Sequence, residues 1–117
     1  MQGRGLANAA VNHFHEQLNA EEYEEICRES DAGFTGAQNH DELIQFLQAV
    51  HKKLGNAGNA TLASIRVDTN THGTFTTTWY NTPFANGAAV ETFTWVKSSG
   101  ALKLYAYHIE SRALVVN

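Results

Sequence analysis

The chain changes texture once, near residue 60, and that change limits what it can fold into more than any other feature. Before it, apolar residues recur at helical spacing. After it, Thr, Val, Ile and aromatic residues alternate in runs divided by turn residues. A helical block followed by a strand block describes an α+β domain, whereas an α/β domain would alternate the two.

In the first block Ala7, Val11, Phe14 and Leu18 fall at i, i+4, i+7 and i+11, which predicts a helix over 6–18. Asn19 with Glu22 three residues later reads as a capping pattern opening a second helix, with Tyr23, Ile26 and Cys27 on its buried face. Gly33 and Gly36 flank Phe34 and end that pattern. Asn39 with Glu42 repeats the capping arrangement before a third helix, whose stripe is Leu43, Leu47, Val50 and Leu54. Lys52 and Lys53 suit its negative end, and Gly55 is a natural stop.

In the second block, turn chemistry at Asn70-Thr71-His72-Gly73, Asn86-Gly87 and Ser98-Ser99-Gly100 marks out four strands, near 61–69, 74–84, 89–97 and 102–111. The connections are too short for parallel crossovers, so the strands pair as antiparallel hairpins. The tail Ala113-Leu114-Val115-Val116 reads as an extension of the last strand. With no linker, repeat or low-complexity tract, residues 1–117 form a single domain of three helices on a curved antiparallel sheet.

Strand period places Glu91, Phe93 and Trp95 on one face of the third strand and Val90, Thr92, Thr94 and Val96 on the other. In the second strand, bulk assigns Phe75, Thr77 and Trp79 to the aromatic face that meets the helices. Thr74, Thr76, Thr78 and Tyr80 then join a flat, Thr-rich face. A second copy of the chain is the expected partner of that face, through Thr76, Thr78, Thr92 and Thr94.

Composition narrows the function classes. Eight Lys and Arg against twelve Asp and Glu leave a formal charge of −4, and the cations are scattered, which argues against nucleic acid. The single cysteine, Cys27, excludes an internal disulfide and reads as a small buried residue. The six histidines lack a metal-ligand spacing; His13 and His15, two apart, point to different helix faces, so no metal or cofactor is expected. No apolar run reaches the roughly 20 residues of a membrane span. The start lacks an apolar signal core, which at face value means the cytosol; export with the signal removed is the alternative.

The run Val11-Asn12-His13-Phe14-His15-Glu16-Gln17-Leu18-Asn19-Ala20-Glu21-Glu22-Tyr23 resembles the opening of the nuclear-transport-factor-like superfamily, which includes the ketosteroid isomerases. There an apolar helix ends in Leu-Asn-Ala, and an acidic pair with an aromatic residue or Leu opens the next helix. Val50-His51-Lys52-Lys53-Leu54-Gly55, Glu91-Thr92-Phe93 and Leu102-Lys103-Leu104-Tyr105-Ala106-Tyr107 are similar to a bacterial branch of unknown function, often on exported or lipid-anchored proteins. The resemblance implies a cystatin-like cone. It also implies a register in which the isomerase's oxyanion-binding Tyr falls at Phe14 and its proton-transferring Asp near Gly36. Neither residue can do that work, so ketosteroid isomerase chemistry is not carried over.

The residues themselves offer other candidates. Glu91 shares its face with Phe93 and Trp95, so alternation turns a carboxylate inward, as a general acid–base group or as a structural acceptor. Tyr107 and His108 are the candidate catalytic companions, with Tyr105 and Tyr107 expected on one face. Phe14, Trp79, Glu91, Phe93, Trp95 and Tyr107 are the candidate ligand-binding residues. The expected function is a non-catalytic binding or assembly module with an apolar pocket. The alternative is a small isomerase or dehydratase using an interior Glu with a Tyr or His.

Overall fold

The stripe of Ala7, Val11, Phe14 and Leu18 forms one long helix, α1 (Gln2–Asn19), with all four side chains buried. This architecture comes from a computed structural model that describes residues 2–36, 39–98 and 100–115. After α1 come α2 (Tyr23–Glu29), a single turn α3 (Ala32–Thr35) and α4 (His40–Leu54). The strands follow as β1 (Thr61–Asn70), β2 (Gly73–Phe84), β3 (Gly87–Ser98) and β4 (Ala101–Glu110), and a four-residue helix α5 (Arg112–Val115) closes the described chain. The sheet is antiparallel in the order β1-β2-β3-β4, so every strand lies beside its sequence neighbour. The protein is an α+β cone: helices packed on one face of a four-stranded sheet.

Asn39 caps α4 as its sequence position suggests, its Oδ1 accepting from the backbone N–H of Asp41 at 2.8 Å and of Glu42 at 3.4 Å. Gly55 ends that helix at φ +79°, a conformation that favours glycine. Asn19 does not cap α2. It is the last residue of α1, and Glu22 precedes α2 with no side-chain cap. The Glu22 N–H is taken instead by the Gln17 carbonyl at 2.8 Å. That frees Asn19 to clasp a distant loop: its Oδ1 accepts from Ala57 N at 2.8 Å and its Nδ2 donates to Ala57 O at 3.1 Å.

Gly33 does not break the chain but lies within α3, whose cap is Asp31, with Oδ2 accepting from Gly33 N at 2.7 Å. A Cβ at Gly33 would collide with the Tyr105 ring, so glycine permits the close approach of α3 to β4. The tail also departs from expectation. Residues 112–115 turn into α5 instead of extending β4, packing on α4 and β3; Val116 lies outside the described residues.

The faces of β2 are the reverse of those expected from bulk. Thr78 pairs with Phe93 and Tyr80 with Glu91, so Thr76, Thr78, Tyr80, Thr82 and Phe84 line the core while Phe75, Thr77 and Trp79 stand outside. Aromatics occur on both faces of this strand, so side-chain size could not decide its orientation; the hairpin register does. Thr76 and Thr78, 8% and 0% exposed, are therefore core residues and no part of an outer face. A bulge in β4, where Thr94 pairs with Ala106 but Trp95 with Leu104, takes Tyr105 out of alternation with Tyr107. Tyr105 meets Phe75, ring centroids 5.0 Å apart, while Tyr107 turns inward against Phe14 and Phe93.

Candidate functional site

The inner face of β3 presents, in order, Ala89, Glu91, Phe93 and Trp95, all buried. Glu91 is 0% exposed, as strand alternation predicts. A carboxylate so placed needs donors, and three side chains from three other elements supply them. Thr82 on β2 donates its hydroxyl to Oε1 at 2.6 Å, and Tyr107 on β4 donates to Oε2 at 2.5 Å. His15 on α1 brings Nε2 to 2.6 Å from Oε1. With Glu91 ionised, Nε2–H is the donor in that contact. Nδ1 is buried without a partner.

Burial raises the Tyr107 hydroxyl well above its ordinary pKa, and the charge and hydrogen bond of Glu91 act in the same direction. Tyr107 is only partly buried as a whole residue, but its hydroxyl end meets the sealed carboxylate. Aromatic rings close the surroundings: His15 lies edge-on to Phe14, Phe84 and Phe93.

Two openings flank this centre, at opposite ends of the strands. The larger is an open cleft of about 880 Å³ beside α5, walled by Ala88, Ala89, Val90, Ile109 and Leu114. It contains none of the residues singled out from the sequence. The smaller is a recess of about 110 Å³ between α1, α2 and the Trp95–Leu104 end of the sheet. Phe14, Gln17, Ile26, Trp95 and Leu104 line it, with His13 and Glu29 paired at 2.8 Å on its exposed side. Neither opening is lined by Glu91, His15 or Tyr107.

Of the sequence candidates, Glu91, Phe93 and Tyr107 come together with Phe14 at the centre, and Phe14 and Trp95 also line the recess. Trp95 stacks on Phe93 at 5.4 Å and donates its indole N–H to Thr78 at 3.2 Å. Trp79 is not part of the interior, because the β2 register turns it outward opposite Ser64 and Thr92. His108 is not near Glu91 either. It pairs with Thr92 on the outer face and lies 3.3 Å from Glu110, both side chains exposed.

His15, Thr82 and Gln17 were missed. On a helical wheel His15 and Gln17 flank the α1 stripe on opposite sides, a position that signals part burial but names no partner. Thr82 shares the inner parity of Tyr80 once the hairpin register is known.

The fold has known counterparts. Aln2 from a Streptomyces species is similar over 98% of this chain and 94% of its own, with a TM-score of 0.59 and 14% identity. A protein from Catenulispora acidiphila is similar over 98% of this chain and 96% of its own, TM-score 0.54 and 13% identity. Bd1075 from Bdellovibrio bacteriovorus matches 88% of this chain with a TM-score of 0.54 and 13% identity, but the chain spans 39% of that protein. These likenesses establish the fold. No family profile matches the chain, and no curated protein matches it.

Proposed function

We propose that the chain is a non-catalytic binding module on a nuclear-transport-factor-like scaffold, and that its site is the recess at Phe14 and Trp95. One observation carries the reading: the acid–base group that could do chemistry is saturated and closed off. Glu91 accepts from Thr82 and Tyr107 and contacts His15, and neither opening reaches it. A general base must come within roughly 2.6–3.2 Å of the proton it takes, directly or through one water. The recess, by contrast, joins apolar walls to a few polar groups, the usual make-up of a ligand site.

Trp79→Phe leaves Trp95 as the sole tryptophan, so its emission reports the recess. Toluene or phenol should change that emission saturably, and the response should survive Glu91→Gln. A non-saturating response, or one lost with Glu91→Gln, rejects the reading. The Glu91–Tyr107 contact, with its raised hydroxyl, supports a second reading as a small isomerase or dehydratase that opens during turnover. Turnover of an enolisable ketone, abolished by Glu91→Gln in a protein of unchanged fold, would establish that reading instead.

As partner we propose a second copy of the chain on the outer sheet face, where Thr77, Trp79, Thr92, Thr94 and Val96 stand half-exposed. Light scattering at micromolar concentration should give twice the 12.9 kDa chain mass. A monomer, or a dimer unaffected by Thr94→Lys, removes this part of the proposal. No described helix is long and apolar enough to cross a membrane.

A further inference from the structure

The recess between α1, α2 and the Trp95–Leu104 end of the sheet contains one polar group with an unspent hydrogen-bonding capacity. Gln17 is 6% exposed and lines the recess, yet its side-chain amide has no partner among the described residues. The other polar side chains of the lining are engaged. His13 bonds Glu29, Ser30 Oγ donates to the Ile26 carbonyl at 2.5 Å, and the Trp95 N–H goes to Thr78. The Gln17 amide meets solvent only through the recess, so a ligand seated there can exchange that water for direct hydrogen bonds to a side chain already held in place.

Size and charge define that ligand. A dry cavity of about 150 Å³ takes benzene, so a recess of about 110 Å³, open on one side, suits a single six-membered ring. Phe14 and Trp95 offer aromatic walls, and the charged residues of the lining, His13 and Glu29, satisfy each other. The ligand is therefore neutral, flat and no larger than one ring inside the protein. A primary amide presents an N–H donor and a C=O acceptor side by side, and its complement is an N–H and a C=O on adjacent ring atoms.

We propose that the recess binds a small cyclic lactam, of the 2-pyridone or pyrimidinone kind, held by two-point pairing with the Gln17 amide. This rests on the recess being the binding site.

The test titrates the full chain with 2-pyridone, N-methyl-2-pyridone and toluene, following the Gln17 side-chain NH₂ and Trp95 indole signals by NMR. Uracil is the further arm, distinguishing a pyrimidine base from a simple lactam. 2-Pyridone should bind at least tenfold more tightly than N-methyl-2-pyridone, whose ring and carbonyl are retained but whose donor is blocked, a difference of about 1.4 kcal/mol. Gln17→Met, which keeps the reach without the amide, should erase that ratio. If the two pyridones bind the natural protein equally, or if Gln17→Met keeps the discrimination, the lactam assignment falls. If toluene binds as well as either, the recess remains a binding site and only the ligand class is wrong. If no ring shifts the Trp95 signal, the recess is not a binding site and both readings fall. The N-methyl comparison needs no variant, so the test stands even if Gln17→Met folds poorly.

Discussion

The two flanks of α1 carry buried polar side chains in opposite states. On one flank His15 reaches a carboxylate 76 residues away through Nε2, and Thr82 and Tyr107 donate to the same Glu91, although His15 Nδ1 stays buried without a partner. On the other, two residues along the same helix, the Gln17 amide has no partner among the described residues and faces an opening. A buried polar group holds a fold together when its partners are internal. When they are missing, it costs stability and is available to a ligand. Burial alone does not separate the two cases, since His15 and Gln17 are 5% and 6% exposed.

The comparison breaks most easily at Glu91. Glu91→Leu removes the acceptor of Thr82 and Tyr107 and the partner of His15, so unfolding in urea should show a loss of about 3–9 kcal/mol, from about 1–3 kcal/mol for each of the three stranded groups. Glu91→Gln keeps an acceptor and should cost distinctly less. A Leu variant within about 1 kcal/mol of the natural protein would mean that the centre contributes little to stability.

Tyr107→Phe deletes one of those donors while keeping the ring packed on Phe14 and Phe93, and should cost about 1–2 kcal/mol at neutral pH. It should also change the alkaline limb. The folded-state pKa of Tyr107 is raised above its unfolded value, so the associated stability is fully present below the unfolded pKa. It is lost as pH climbs beyond that value, because the unfolded chain then releases a proton the folded chain keeps. Stability measured from pH 9 to 12 should fall less steeply in the Phe variant, by up to about 1.4 kcal/mol per pH unit. Equal slopes would place the Tyr107 hydroxyl in water.

Effects on the Gln17 flank should be small. His13→Ala breaks a pair whose side chains are 56% and 49% exposed, so the loss should be about 0.5 kcal/mol or less and shrink further in salt. Gln17→Met should cost nothing measurable in urea unfolding, because no hydrogen bond within the described fold is lost. A loss above about 1 kcal/mol would show that Gln17 has a partner within the fold and would end its contrast with Glu91.

Much of this was legible beforehand. The helical stripes of α1 and α4, the Asn39 cap and the inward Glu91 followed from local spacing, because each depends on residues within a turn or a strand. The β2 faces could also have been read correctly. A two-residue turn at either Ala85-Asn86 or Asn86-Gly87 pairs even positions of β2 with odd positions of β3, which puts Tyr80 and Thr82 on the Glu91 side. Counting aromatics overrode that signal and sent Trp79 inward. Asn19 misled for a different reason: a good capping residue is also a good clasp, and Ala57 was the stronger claimant.

By itself, then, the sequence determined the α+β class, the hairpin order and the burial of Glu91, all set by periodicity and turn chemistry inside short stretches of chain. Tertiary structure decided that His15 and not His108 meets Glu91, that Tyr105 slips out of register, and that Gln17 is left unpaired beside Trp95. Those outcomes depend on how α1 lies across the sheet. A helix position specifies which way a side chain points, but its partner is whatever a strand many residues away brings to that point.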